Sequence, residues 1–323
     1  MKIALVAPVY QDWASFRSLL LDIDKAVAGM PISLHAVAID DASIVADTYS
    51  EADWTEIRNI SSIEVVRLHS NQGHQRAIAV GLVDVCKRLD PDAVLVMDSD
   101  GEDKPEDVSR LIKVSMENPG SIIVGSRTRN IKRPGRSLFF NVSYLLYKIC
   151  FKILTGYTID FGNFSLVPKP LLARIVYMPD IWNHLAASLV KSKLPLVRIP
   201  VVTGKRYAGQ SSSDRVSWLI HGLSAISVFS DRVFVRVLIA LVALAIFCVA
   251  IASTVVVVKL TVDWAVPTWT TTVVGTMGVI FLQSVMFASG AAFMVFQRRS
   301  SDLIVPALVA ERYILQRKSV FSK

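Results

Sequence analysis

Two rhythms of apolar residues run through the first two-thirds of the chain. Short continuous runs, Ile3 to Val9, Leu34 to Ile39, Val65 to Leu68, Ala93 to Met97 and Ser121 to Val124, each end abruptly in polar residues. Runs of this length and composition predict buried parallel strands. Between them the period changes. Phe16, Leu19, Leu20, Ile23 and Val27 share one helical face within residues 15–28, and a second helix runs through Gly81 to Cys86. Strands alternating with helices predict an α/β fold, a Rossmann-like doubly wound and mostly parallel sheet. Leu196 to Val202 reads as a late strand, and Trp182 and His184 before it as part of a helix, where a lone histidine is more often structural than catalytic.

The pattern then loses its polar half. Val237 to Val258 and Trp269 to Phe296 carry no charge, and each is long enough to cross a bilayer. Arg232 and Arg236 precede the first run, and Arg298 and Arg299 follow the second. The connection holds only Lys259 and Asp263, with Trp264 and Trp269 suited to the far interface. The basic flanks predict a multi-pass protein of the cell (inner) membrane, with the first domain and both ends in the cytoplasm. The expected division is a cytoplasmic domain over 1–212, an amphipathic juxtamembrane helix over 213–233, a two-helix hairpin over 234–297 and a cytoplasmic tail over 298–323. The tail reads as a short helix along the membrane surface.

Within the first domain, residues 134–154 stand out. Leu138, Val142, Leu145, Ile149 and Ile153 form one stripe, accompanied by Phe139, Phe140, Tyr144, Tyr147 and Phe151. Aromatic richness suits a helix in the membrane interface. An ordinary core helix is the alternative.

Composition agrees with a split chain. The 323 residues are 52% hydrophobic, and mean hydropathy is +0.46. That is too apolar for one soluble domain. A formal charge of +8 fits basic membrane flanks and phosphate-bearing ligands, and no nucleic-acid recognition motif accompanies it. Cys86, Cys150 and Cys248 have no paired spacing, which excludes a disulfide framework and a zinc site.

The candidate chemistry lies where strands end, which is where open α/β sheets bind ligands. The fourth strand stops at Asp98-Ser-Asp100-Gly-Glu102-Asp103. Hard carboxylate oxygens at Asp98, Asp100 and Glu102 suit Mg²⁺ or Mn²⁺ carrying a substrate diphosphate. The first strand leads into Pro8-Val-Tyr10-Gln-Asp12, where a dinucleotide-binding Gly-x-Gly-x-x-Gly is absent. The second ends at Asp40-Asp41-Ala-Ser43, the third precedes Asn71-Gln-Gly73-His74, and the fifth ends at Gly125-Ser-Arg127-Thr-Arg129. Asp40 and Asp41 could equally cap a turn. Arg127 and Arg129 could equally form a solvated basic loop.

Taken together and in order, these motifs resemble glycosyltransferase family two, fold type A. The Asn71-Gln-Gly73-His74 segment and Arg206-Tyr-Ala-Gly209-Gln-Ser211 are similar to its polyprenyl-phosphate branch, which includes dolichyl-phosphate mannose synthases and bacterial undecaprenyl-phosphate glycosyltransferases. The resemblance implies a nucleotide-sugar (UDP- or GDP-sugar) donor held by Pro8, Tyr10, Asp12, Asp40, Asp41 and Asp98. It implies a polyprenyl phosphate acceptor served by Asp160, Arg127, Arg206 and Ser211, and a single inverting displacement. Asp160-Phe-Gly162-Asn163 matches the family's acceptor-side turn. Three departures stand in the motifs: Gln11-Asp12 for Asn-Glu, Glu102 for Gln, and Ser211-Ser212 for Ser-Lys. The second adds negative charge at the metal, and the third removes a cation.

The spans explain the acceptor. A water-soluble acceptor needs no bilayer, whereas a polyprenyl phosphate offers its phosphate at the surface and keeps its tail in lipid. A processive polysaccharide synthase is the rival enzyme, but Gln-x-x-Arg-Trp is absent. A catalytically dead nucleotide-binding scaffold would have lost the acidic cluster or Arg206. A flippase subunit would need more than two spans. A homo-oligomer is compatible with all of these.

Overall fold

The computed structural model describes residues 1–44, 51–127, 138–207, 215–261, 268–300 and 303–323. In chain order the first half builds β1 (Lys2–Val9), α1 (Trp13–Ala26), β2 (Ser33–Asp40), β3 (Ile60–Leu68), α2 (His74–Arg88), β4 (Ala93–Val96), α3 (Pro105–Glu117) and β5 (Ile122–Arg127). After it come α4 (Leu138–Thr155), β6 (Phe161–Pro168), α5 (Lys169–Ile175), α6 (Leu185–Ser192), β7 (Leu196–Val201), α7 (Arg215–Ser227), α8 (Ser230–Thr261), α9 (Trp269–Ser300) and β8 (Ile314–Ser322).

All eight strands form one sheet in the order β7-β5-β6-β4-β1-β2-β3-β8. The pairs β1–β2, β2–β3, β1–β4 and β5–β7 are parallel, as the continuous apolar runs require. Alternate residues of β1 feed opposite faces. Ile3, Leu5 and Ala7 pack with Phe16, Leu19, Leu111 and Ile112 of α1 and α3, while Ala4 and Val6 pack with Ile78, Leu82 and Leu172 of α2 and α5. The strand order reverses between β1 and β4. A doubly wound sheet opens its ligand crevice at the carboxyl ends of such a pair.

Two strands correct the sequence reading. Phe161 to Pro168, expected as a turn at its start, is β6, antiparallel to both β4 and β5. The expected surface helix of the tail is instead β8, antiparallel to β3 at the sheet edge. Its Arg317 bonds Asp84 and Glu311, each at 2.8 Å. Charged residues along an edge strand discourage further pairing.

The chain divides into two compact units, one of residues 1–138, 158–228 and 303–323 and one of 139–157 and 229–302. In the second, α8 and α9 pack together. Each has 32 residues, about 48 Å at 1.5 Å per residue. Only 6% of the most apolar stretch of either is buried, so both are long, apolar and exposed enough to cross a membrane. The basic flank is put to structural use: Arg236 donates to the Lys152 and Ile153 carbonyls at the end of α4. Arg232 lies 4.7 Å from the centre of the Tyr157 ring, and Arg298 lies 3.7 Å from Asp231. On α4, Val142, Leu145, Leu146, Ile149 and Ile153 are exposed, an uncovered apolar stripe.

Candidate active site

The ends of β1 and β4 are joined by Ser99, whose hydroxyl donates to the Pro8 carbonyl at 3.0 Å. Beyond this link the acidic turn folds over Gly101, at φ +85°. A β-carbon there would lie 2.6 Å from the Tyr207 ring, so only glycine fits. The segment leading to Tyr207 is strapped onto the turn by backbone: Gly204 N–H donates to the Glu102 carbonyl at 2.7 Å, and Tyr207 N–H to that of Asp100 at 3.0 Å. The Tyr207 hydroxyl donates to Asp22 at 2.9 Å.

This strap delivers Arg206 to the carboxylates. Its Nη2 lies 2.6 Å from Asp100 Oδ2 and its Nε 3.1 Å from Glu102 Oε1. From β5, Arg127 Nη2 meets Asp103 Oδ1 at 2.8 Å, with Nη1 3.7 Å from Glu102 Oε2. Asp98 has other hydrogen-bond partners. Its Oδ1 is 3.1 Å from His74 Nε2 and 3.2 Å from Asn163 Nδ2. Four carboxylates, two guanidiniums and one imidazole therefore share the switch point.

The charges tune one another. Burial pushes the Asp98 carboxyl up, but the His74 charge and hydrogen bond, with Asn163 and Arg127, outweigh it and hold Asp98 well below the usual range. Burial lowers His74, and the Asp98 carboxylate reverses this to a net rise. Burial, then the Asp98 charge, raises Asp103 to about 6 against the pull of Arg127. Burial is also the main cause of the upward shift of Asp100. Asp103 Oδ2 is buried with no hydrogen-bond partner among the described residues.

The donor-side residues are arranged differently. Tyr10 is exposed at the end of β1, and Gln11 beside it takes φ +55° and donates its N–H to Ser43 Oγ at 2.9 Å. Asp12 precedes α1 without capping it. Asp41 accepts from the backbone of Gln72 at 2.6 Å and of Gly73 at 2.9 Å, and burial raises its carboxyl. Asp40, fully buried, accepts from Ser43 N–H at 2.9 Å. Both thus have the capping geometry that the sequence left open, although Asp40 Oδ2 has no hydrogen-bond partner among the described residues and meets only the Arg67 charge, at 3.5 Å. Asp160 stands just before β6, bonded to Ser126 at 3.0 Å and Arg198 at 3.2 Å. Ser211 and Arg129 lie outside the described residues.

His74, Asn163 and Asp103 complete the cluster, yet none was assigned a role from sequence. His74 opens α2 as the last residue of Asn71-Gln-Gly73-His74, Asn163 closes Asp160-Phe-Gly162-Asn163 and Asp103 ends the acidic run, so membership of those motifs is the available signal. His184 has the structural role expected of it, but as the cap of α6 rather than inside a helix: its Nδ1 accepts from Ala187 N–H at 3.3 Å.

Carboxylates in this number are the right donors for a hard divalent cation. Among the described residues, however, no three acidic, histidine or cysteine side chains converge as a ready cage. The arginines already occupy Asp100, Glu102 and Asp103. Mg²⁺ held mainly by substrate phosphates needs only one or two protein carboxylates, and Asp98 and Asp100 meet that requirement.

Residues 5–157 match the family model Glycosyl transferase family 2. The chain is 24% identical over 220 residues to a dolichol-phosphate mannosyltransferase of Pyrococcus furiosus, covering 65% of this chain and 59% of that one. It is 30% identical over 131 residues to an undecaprenyl-phosphate 4-deoxy-4-formamido-L-arabinose transferase of Proteus mirabilis, covering 40% and 37%. It thus spans less than two-thirds of the length of either relative. Its fold is that of a mannosyl-3-phosphoglycerate synthase from Rubrobacter xylanophilus, with a TM-score of 0.51 at 12% identity over 72% of this chain and 74% of the other. Over residues 5–157, just under half of its length, the chain thus matches glycosyl transferase family 2, and the relatives it is similar to carry names from the polyprenyl-phosphate branch that the motifs resemble.

Proposed function

We propose that the protein transfers a hexose-type sugar from a UDP- or GDP-sugar to a polyprenyl phosphate at a membrane surface. The observation that carries this reading is the carboxylate–guanidinium cluster at the β1/β4 switch point. Displacement at the anomeric carbon breaks its bond to the nucleoside diphosphate and forms one to an acceptor phosphate oxygen, inverting the centre. The leaving diphosphate gains charge, which the Arg127 guanidinium is suited to stabilise. A bound Mg²⁺ or Mn²⁺, on Asp98 and Asp100 with Glu102 beside them, would supply Lewis acidity there. Pro8, Tyr10 and Asp12 border the crevice for the nucleoside. Asp40 and Asp41 act on it through the loops they cap.

The acceptor needs little proton chemistry. A phosphate monoester has its second pKa near 6, by analogy with phosphoserine, so its oxygen is already a largely ionised nucleophile. Asp160 then orients rather than deprotonates, which its Ser126 and Arg198 bonds favour. Arg206 serves the acceptor phosphate after leaving Asp100 and Glu102, and Ser211 follows it in the chain.

The test is direct: purified protein, undecaprenyl phosphate and a panel of UDP- and GDP-sugars, with lipid products identified by mass spectrometry. One glycosylated lipid phosphate, formed only with divalent metal, is expected. A water-soluble product alone, or none with any donor, overturns the reading.

The catalytic domain and both ends are assigned to the cytoplasm. The chain leaves the sheet-bearing unit before α8 and re-enters it after α9 as β8, which requires an even number of crossings. A cysteine replacing Thr261 should react with an impermeant reagent on intact cells, and one replacing Ser322 should not. The reverse pattern would invert the topology.

A further inference from the structure

Asn163 sits on β6 between β4 and β5, and it is 7% exposed. Its Nδ2 faces His74 Nε2 at 2.9 Å and Asp98 Oδ1 at 3.2 Å, and its Oδ1 faces Gln75 Nε2 at 3.1 Å. The other end of Gln75, Oε1, accepts from the N–H of Leu185, the first residue of α6, at 2.7 Å. An amide's oxygen and nitrogen look alike in shape, so their assignment depends on the bonding network. Here the network decides. A backbone N–H only donates, so Gln75 must turn its oxygen to Leu185 and its nitrogen to Asn163. Asn163 must then turn its oxygen to Gln75 and its nitrogen to Asp98.

His74 Nε2, 3.1 Å away, converges on the same Asp98 oxygen. Among the described residues no hydrogen bond reaches Asp98 Oδ2. One oxygen is pinned, and the other is left for a ligand.

We propose that Asn163 and Gln75 are positioning residues for the reaction, a two-amide relay that carries the fixed direction of the Leu185 N–H to Asp98 and holds that carboxylate in one rotamer. The proposal rests on the reading of Asp98 as a donor-site carboxylate. Neither amide touches the reacting atoms in this account. Their effect is geometric, and small misplacements of a site group slow turnover steeply.

The relay makes a prediction that a merely structural pair would not. Gln75→Glu keeps the bond to Leu185 but now offers oxygen to Asn163. The Asn163 amide must reverse, which sets its oxygen against Asp98 Oδ1 and exchanges the group that His74 Nε2 meets. Gln75→Glu should therefore cost about tenfold in kcat, with the acceptor KM unchanged. Asn163→Ala should cost a similar factor, and the double variant should be no slower than Asn163→Ala, because no amide is left to reverse. Gln75→Met, which removes the bonds without reversing anything, should lose less than Gln75→Glu. The same four-protein cycle is read in parallel as thermal unfolding midpoints in detergent, where the shifts should also be non-additive. Multiplying losses in the double variant, or Gln75→Met as slow as Gln75→Glu, overturns the positioning role. Additive midpoints overturn the relay itself. If the parent transfers no sugar, the proposed reaction fails while the midpoint cycle still decides the relay.

Discussion

The strands β1 and β4 and the helix α8 are built from the same kinds of residues, and their surroundings are opposite. Ile3, Leu5, Val94 and Leu95 have no exposure, whereas Ile239, Ile246, Phe247 and Val249 on α8 stand more than half exposed. In the sheet, helices of the same chain cover the apolar faces and leave charge only at the strand ends. In the hairpin none of the described residues covers them, and a surface of this kind is matched by hydrocarbon. The comparison teaches how one chain can be built for two phases: under the proposed function, the crevice at the strand ends takes the nucleoside diphosphate and the exposed apolar helices meet the bilayer that holds the acceptor.

The largest expected effect is on the crevice side. Asp100→Ala removes one carboxylate of the cluster and frees Arg206. Turnover should fall by about three powers of ten, roughly 4 kcal/mol of barrier, with divalent-metal stimulation lost and the unfolding midpoint kept. Full activity in chelator would remove metal from the account.

Next comes the comparison itself. Leu5→Ala opens a cavity in a packed core and should cost about 2–5 kcal/mol. Ile246→Ala changes a side chain facing lipid, with no cavity to create, and should cost well under ~1 kcal/mol by the same reasoning. Equal losses in unfolding experiments would mean that α8 is covered by protein.

A smaller effect separates orientation from base catalysis. Asp160→Asn should lose roughly one to two powers of ten, typical of a misplaced substrate. Its pH–rate profile should keep the parent's shape. Disappearance of an acidic limb in the variant would make Asp160 the general base.

The smallest is a slope. Burial, then the charges of His221 and His74, lowers His184 to about 3. Unfolded, the imidazole binds its proton near 6.5. The stability this gives is complete above 6.5 and is lost as pH falls toward 3, because the unfolded state alone takes up the proton. His184→Asn, which keeps a cap, should flatten the decline of the unfolding midpoint between pH 6.5 and 5. An unchanged slope would remove His184 from the acid response.

Much of this was legible in sequence, for physical reasons. β1, β2, β4 and β5 are uninterrupted apolar runs with polar stops, and burial on both faces leaves no other reading. β6 was hidden because Gly162 and Asn163 near its start look like turn residues. β8 was hidden because Gln316-Arg317-Lys318 is polar on both faces, and only pairing with β3, some 250 residues earlier in the chain, makes it a strand. The acidic turn announced itself by composition. Its partners did not: Arg206 reaches Asp100 across 106 positions, and Asn163 reaches Asp98 across 65. Residue types and strand ends can be read along a chain, but pairings between loops come only with the sheet that brings them together.

The central claim is that the nucleophile is a lipid-borne phosphate. The measurement that tests it is a competition: equal amounts of undecaprenyl phosphate and undecaprenol in one detergent micelle, one active sugar-nucleotide donor, and the lipid products separated by mass. The account predicts glycosyl phosphate and no prenyl glycoside, because Arg206 is a cation suited to a phosphate and the Asp160 carboxylate is engaged by Ser126 and Arg198 rather than placed as a base for a hydroxyl. Glycosylated undecaprenol in comparable yield would contradict it.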